Sequence, residues 1–264
     1  MDAHEKQQAL LTRLSSLGSV AAAFSAGVDS TYLLHAAVQA GCRVLAVTVD
    51  ASAVPRRETQ AAEDFCRANG IGQQIISFDQ FTVPAFVHNA KDRCYHCKKA
   101  LFSEIIKVAS EKGISRVIEG SNADDALVYR PGMLAVEEFG VISPLLDAGL
   151  TKAEIRLLSA EAGLPTASKP SLSCLATRFP YGETLTPEKL AAVEAGESYL
   201  FSLGLRQARV RVHGELARIE ALPADFPLLT SPGAAAAVAE KLRSLGFKHV
   251  TLDLAGFRSG SMDE

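Results

Sequence analysis

The stretch Val20-Ala21-Ala22-Ala23-Phe24-Ser25-Ala26-Gly27-Val28-Asp29-Ser30 decides the reading of this chain. An apolar, strand-like run ends in a turn of small and hydroxyl-bearing residues, and a helical pattern starts at once with Thr31-Tyr32-Leu33-Leu34. Backbone N–H groups in such a turn converge on one cavity, and the helix that follows adds the positive end of its dipole. The cradle comprises Ser25, Ala26, Gly27, Val28, Asp29 and Ser30. Its hydroxyls are further donors, and the Asp29 carboxylate suits Mg²⁺. Such a turn is a pocket for a polyphosphate. It is not the GxxxxGK[ST] loop, since no lysine closes it.

Outward from this turn, strand-like and helix-like segments alternate. A first helix carries Leu10, Leu14 and Leu17 on one face, and the first strand covers about 19–24. A helix to Ala40 leads to Arg43-Val44-Leu45-Ala46-Val47-Thr48-Val49, an apolar run that fits a buried parallel strand. A helix near 56–69, a strand at 74–78, a helix at 98–111 and a strand at 116–120 follow. This alternation predicts an α/β fold, a parallel sheet with helices on both faces, whose ligands sit beyond the carboxyl ends of the strands. Asp50-Ala51-Ser52 stands at the second such end, and Gly120-Ser121-Asn122-Ala123-Asp124-Asp125 at the fourth. Asp50, Ser52, Asn122 and Asp125 are therefore candidate nucleotide contacts.

Near residue 165 the texture changes to a turn-rich connector, Gly163-Leu164-Pro165, Lys169-Pro170-Ser171 and Pro180-Tyr181-Gly182. The division predicted is 1–165 for the phosphate-binding domain and 166–264 for the connector and a small α+β domain. There Thr186 caps a helix with Pro187 at its first position, followed by strands at 207–213 and 216–222, a helix at 233–245 and a strand at 249–254.

The chain has 264 residues and a net charge of −3, which argues against a general nucleic-acid binder. No apolar run reaches membrane-span length, and Met1-Asp2-Ala3-His4-Glu5-Lys6 lacks a signal-peptide pattern. Five cysteines, an odd number, do not form a disulfide framework, and the reading is a cytoplasmic protein with reduced thiols.

In Arg93-Cys94-Tyr95-His96-Cys97-Lys98 two thiols stand three residues apart, ahead of the helix expected from 98; Cys174 lies far downstream in the connector. The cations Arg93, Lys98 and Arg178 favour thiolates. Three thiolates are one short of the usual four, so a [4Fe–4S] cluster on Cys94, Cys97 and Cys174 leaves one iron open. A zinc site completed by His88 or His96, or unrelated thiols, also fit the residues. Cys42 and Cys66 read as plain packing residues. In Arg209-Val210-Arg211-Val212-His213 a period of two puts the arginines and His213 on one face, with Arg218 and Glu220 on the next strand. That face fits either a phosphate or carboxylate ligand or ordinary solvent.

The turn resembles the Ser-Gly-Gly-x-Asp-Ser signature of the PP-loop ATP pyrophosphatases, which cleave ATP between its α and β phosphates. Ala26 replaces the first glycine, and its methyl group calls for φ below zero. Nearly the whole chain resembles the LarE family of ATP-dependent sulfur-inserting enzymes in nickel-pincer nucleotide biosynthesis. The resemblance runs through Val54-Pro55-Arg56-Arg57-Glu58, Gly120–Asp125, Tyr129-Arg130-Pro131-Gly132, Ser143-Pro144-Leu145 and Gly149-Leu150-Thr151-Lys152. It continues in Cys174-Leu175-Ala176-Thr177-Arg178-Phe179-Pro180-Tyr181-Gly182 and Gly256-Phe257-Arg258-Ser259-Gly260-Ser261-Met262.

The resemblance implies ATP and Mg²⁺ as cofactors, Mg²⁺ on Asp29, and adenylation of a pyridinium dicarboxylate mononucleotide followed by replacement of AMP with sulfur. The three-cysteine set points to the cluster-bearing type of the family, with Cys174 otherwise the sacrificial sulfur donor. Resemblance also implies catalytic roles for Cys174, Asp29 and Arg178, a substrate phosphate on Arg209, Arg211 and Arg178, and a cation on Glu197 and Glu220. As partners it implies a small nucleotide substrate, a homo-oligomer and transient contact with other cofactor-biosynthesis proteins, without nucleic acid or membrane. The competing readings are a tRNA thiolase, an ammonia-using amide synthetase and a nucleotide-sensing module.

Overall fold

The computed structural model describes residues 1–127, 131–170, 173–258 and 260–262. Tyr129 and Arg130 of the Tyr129–Gly132 stretch, Ser171 and Leu172 of the connector, and Ser259 of the closing stretch lie outside the described residues. The chain forms two compact units, one of Met1–Val83 with Asp92–Leu172, the other of Pro84–Lys91 with Ser173–Glu264.

The first unit opens with α1 (Ala3–Ser15), started by a capping box in which Asp2 and Glu5 satisfy each other's backbone N–H groups. Then come β1 (Ser19–Ala23), α2 (Val28–Gln39), β2 (Arg43–Asp50), α3 (Arg56–Ala68) and β3 (Gly72–Ser77). A short α4 (Pro84–Val87) belongs to the second unit, and the chain returns in α5 (Arg93–Glu111), β4 (Val117–Ile118), α6 (Gly132–Glu138), α7 (Pro144–Asp147) and α8 (Lys152–Glu161).

The four strands are parallel in the order β3-β2-β1-β4. Strand order reverses between β1 and β4, so the crevice at their carboxyl ends is the topological switch point. Strand β1 has alanine at three of its five positions and is covered on both faces. Val20, Ala22 and Ala46 pack with α1, α2 and α8, and Ala21 and Val47 with Phe102, Ile105 and Val136 of α5 and α6.

The α/β fold read from the sequence is present, with local differences. The fourth strand is two residues long, and on its edge away from β1 Ile118 makes one parallel bridge to Ile142, with Glu119 N donating to Ile142 O at 2.9 Å. Helix α5 begins at Arg93 rather than 98, with Asp92 at its N-cap position, so Cys94 and Cys97 stand in the helix and not ahead of it.

In the second unit α9 (Pro187–Ser202) starts as expected, with Thr186 Oγ1 accepting from Lys189 N and Pro187 at the first position. Strands β5 (Ala208–His213) and β6 (Leu216–Ala221) form an antiparallel hairpin, with Arg209 opposite Glu220 and Arg211 opposite Arg218. After α10 (Pro227–Thr230) and α11 (Pro232–Ser244), β7 (His249–Leu252) joins β6 in parallel. Residues 84–91 dock here: Asn89 Nδ2 donates to the carbonyls of Phe179 (3.1 Å) and Pro180 (2.8 Å), and Gly182 N donates to Asn89 O. Among the described residues no helix is long and apolar enough to cross a membrane.

Candidate nucleotide and sulfur sites

The phosphate loop lies at the switch point, between β1 and α2. Gly27 is the N-cap residue of α2 and makes no side-chain cap, so the first N–H groups of that helix remain for a ligand. Ser30 Oγ donates to Gly27 O at 3.3 Å and stands 3.2 Å from Ser25 Oγ, which folds the two hydroxyls into the turn. The structure corrects one expectation. Ala26 has φ +52° and is 2% exposed, so a buried residue with a Cβ adopts the left-handed conformation. That conformation costs an L-residue about 1–2 kcal/mol, which explains why glycine belongs at this position of the signature.

Asp29 points its Oδ2 at Lys152 Nζ in a short ion pair. Its Oδ1 is buried without a hydrogen-bond partner among the described residues. Burial pushes the carboxyl above its usual range, the Lys152 ammonium opposes that, and the nearby Asp125 charge adds to it. A half-buried carboxylate with an unused oxygen and a second carboxylate close by is a donor set that fits Mg²⁺.

Lys152 was not singled out from the sequence, although the capping box at the start of α8, with Thr151 and Glu154 reciprocally bonded, marks that helix end. Asp124 Oδ2 accepts from Lys152 N at 2.9 Å, Asn122 Oδ1 from Asp124 N, and Asp125 Oδ2 from Asn122 N. The segment after β4 is therefore wired to α8. Gly120 lies against the loop itself, where a Cβ would stand 3.1 Å from Ser30 N and 3.3 Å from Ser30 Cα. Asp50 and Ser52, at the end of β2, are exposed.

Two further residues carry contacts to the loop or its support that the sequence reading does not name. Lys169 Nζ donates to Ala26 O at 2.8 Å and to Glu58 Oε2 at 2.7 Å, and Arg156 donates to the carbonyls of Ala167 and Lys169.

None of the five cysteines is in a disulfide; Cys94 is exposed, whereas Cys97 and Cys174 are partly buried. Cys97 Sγ accepts from Gln80 Nε2 at 3.6 Å, and burial pushes its thiol up. Among the described residues no group of three or more His, Cys, Asp or Glu is arranged to hold a metal ion. Cys94 and Cys97 belong to the first unit and Cys174 to the second. Soft thiols are the donor type that an iron–sulfur cluster takes.

Around Cys174 the second unit builds an ion network. Arg178, with no exposed surface, donates through Nε and Nη2 to Glu197 at 2.7 and 3.0 Å. Its Nη1 reaches the carbonyls of Ser173 and Cys174 and the hydroxyls of Ser173 and Thr177. Arg211 donates to Glu220 Oε2 and to Thr177 O, both at 2.9 Å. Glu220 also accepts from Arg218 and from Ser261 Oγ at 2.6 Å. Arg209 lies 5.3 Å from the Phe257 ring. The arginine face is thus buried and not a solvated one, while His213 at the strand end is exposed. These side chains hold the Cys174 turn against the sheet.

No family model matches the chain. It is 36% identical over 264 residues, 98% of the chain and 94% of the relative, to the pyridinium-3,5-bisthiocarboxylic acid mononucleotide synthase of Lactiplantibacillus plantarum. It is also 36% identical over 242 residues, 91% of the chain and 90% of the relative, to an uncharacterised protein of Synechocystis. A protein of Methanobrevibacter smithii named probable tRNA sulfurtransferase is 24% identical over 174 residues, 59% of the chain and 44% of the relative. Identity at this level along almost the entire length, together with a phosphate loop at the switch point, establishes that the chain belongs to the LarE family of ATP-dependent sulfur transferases.

Proposed function

We propose that this protein adenylates a carboxylate of pyridinium-3,5-dicarboxylate mononucleotide with ATP and replaces the AMP with sulfur. The observation that carries the reading is the full-length likeness to the Lactiplantibacillus plantarum synthase. The loop geometry supports it. Ser25–Ser30 would receive the β and γ phosphates on the N–H groups that start α2, with Asp50, Ser52, Asn122 and Asp125 beside the nucleotide. Mg²⁺ on Asp29 would neutralise charge on the polyphosphate when bound. Lys152, which pairs with Asp29, would add a second positive charge beside the polyphosphate.

A carboxylate is inert to substitution because its oxygens are poor leaving groups. Its attack on the α phosphorus breaks the bond to pyrophosphate and forms a mixed anhydride with AMP. A sulfur nucleophile then attacks the carbonyl carbon, the bond to AMP breaks, and a thiocarboxylate remains. Cys94, Cys97 and Cys174 would hold a [4Fe–4S] cluster, which when bound supplies sulfur at an iron the chain does not ligate. The substrate phosphate is assigned to Arg209, Arg211 and Arg178, and a cation to Glu197 and Glu220. Both carboxylates are engaged with guanidinium groups, so a cation there has to compete with Arg178 and Arg211. A homo-oligomer, transient contact with other cofactor-biosynthesis proteins and a cytoplasmic location complete the reading, the last consistent with five cysteines outside any disulfide.

The test is pyrophosphate release by the full chain with ATP, with and without the dicarboxylate nucleotide. Release that depends on that nucleotide supports the assignment; release that depends on ammonia or on tRNA refutes it. Anaerobic reconstitution separates the two sulfur sources. About four irons per chain, lost in Cys94→Ala, Cys97→Ala and Cys174→Ala, supports the cluster, whereas one turnover with loss of hydrogen sulfide from Cys174 assigns the sulfur to that side chain.

A further inference from the structure

The left-handed Ala26 is held from outside the loop. Its carbonyl accepts from Lys169 Nζ at 2.8 Å, and the same ammonium pairs with Glu58, a carboxylate on α3 with 6% of its surface exposed. The Lys169 backbone is fixed in turn. Its N–H donates to Thr166 O, and Arg156 Nη2 donates to its carbonyl at 2.8 Å while Nη1 holds Ala167 O at 2.6 Å. Arg156 stands one helical turn beyond Lys152 on α8, the residue paired with Asp29. Helix α8 therefore grips the loop at Asp29 directly and at Ala26 through Lys169.

A glycine needs no such support, because φ above zero carries no penalty for it. An alanine in the same place loses about a factor of ten in the population of the left-handed form, unless a contact made only in that form restores it. The Lys169–Ala26 bond is such a contact. An ammonium paired with a buried carboxylate is a donor already fixed in place, and its bond to a carbonyl is charge-assisted.

We propose that Lys169 is a positioning residue that keeps Ala26 left-handed and so holds the phosphate loop in its ATP-receiving shape, the task a glycine performs unaided. The inference rests on the reading of this loop as the ATP site.

The test is a double-mutant cycle on the full chain, read as the dissociation constant for ATP with Mg²⁺ by calorimetric titration, with a thermal melt of each variant. Lys169→Met is expected to weaken ATP binding about tenfold in the native background and less than about threefold when combined with Ala26→Gly. Lys169→Arg, which keeps a charged donor, recovers affinity in the native background. Glu58→Gln, which loosens the ammonium without removing it, gives a smaller loss with the same dependence on residue 26. If Lys169 touched the phosphates itself, its removal would cost the same in both backgrounds, and that equality overturns the inference. Unchanged affinity in Lys169→Met overturns it as well. A native chain that binds no ATP refutes the functional reading and this inference together; native binding with background-independent losses refutes the inference alone.

Discussion

Removal of Arg178 is the most demanding stability test that the second unit offers. Arg178 and Glu197 have side-chain exposures of 0% and 1%, and their two bonds of 2.7 and 3.0 Å form a bidentate pair. Arg178→Met leaves the Glu197 carboxylate with the Val210 N–H, at 3.1 Å, as its remaining donor among the bonds described. Breaking one side of a buried pair costs about 3–5 kcal/mol, because the other charge is left uncompensated. With a urea slope of about 2 kcal/mol per M, the unfolding midpoint of the second unit should fall by about 1.5–2.5 M. Glu197→Leu should cost a similar amount for the mirrored reason. The double variant Arg178→Met/Glu197→Leu removes both charges. Its loss should be about 1–3 kcal/mol, set by the Ser173 and Cys174 carbonyls and the Val210 N–H that lose partners. Urea unfolding followed by circular dichroism measures all three variants. Additive losses, or a single-variant loss below about 1 kcal/mol, would refute the claim that this pair is desolvated and holds the Cys174 turn.

Three further outcomes follow from the first unit. Asp29→Asn should abolish nucleotide-dependent pyrophosphate release in a chain that still melts cooperatively, since an amide cannot replace the carboxylate beside the polyphosphate; near-normal release would remove Asp29 from that role. Gly120→Ala should push on the Ser30 backbone, where its Cβ would stand 3.1 Å from the nitrogen, costing about 1–3 kcal/mol as overpacking does; ATP affinity should fall while binding of the dicarboxylate nucleotide is kept. Glu154 is held down to about 2 from 4.5, first by the Lys6 ammonium and then by the Thr151 N–H. A depressed carboxyl adds stability that is complete above pH 4.5 and is lost as pH falls toward 2, so Glu154→Gln should flatten the acid limb of a urea-midpoint profile over that range.

Local chemistry was the legible part of this chain. Alternation of strand and helix patterns gave the parallel sheet, and Pro187 after Thr186 marked the start of α9, because a cap and a fixed φ act within a few residues. The arginine face was half legible. A period of two sorts Arg209 and Arg211 from Val210 and Val212, but it cannot tell a covered face from an open one. Cover comes from Thr177, Phe257 and Ser261, which stand 34 or more positions from the arginine or carboxylate they meet. The Cys94–Cys97 pair was placed ahead of its helix for the opposite reason. A Cys-x-x-Cys spacing looks the same in a loop and in the first turn of a helix, and Asp92 at the N-cap position makes no side-chain cap that would mark the start.

The absence of a lysine at the end of the phosphate turn is where local reading stops and the fold takes over. A loop of the GxxxxGK[ST] type carries its cation in the same turn, so its charge balance is set locally. Here the ammonium groups that meet the turn come from Lys152 and Lys169, 123 and 143 positions beyond the residues they touch. Neither can arrive until α8 has packed onto α2, a contact made by Ile155 and Leu158 within the core on that face of the sheet. The partly desolvated Asp29 carboxylate and the left-handed Ala26 are both unfavourable in isolation, one by desolvation and the other by backbone strain. Each is offset by a side chain that only the folded unit supplies. A loop assembled in this way takes its shape only when the domain is complete, because both lysine contacts depend on residues far along the chain.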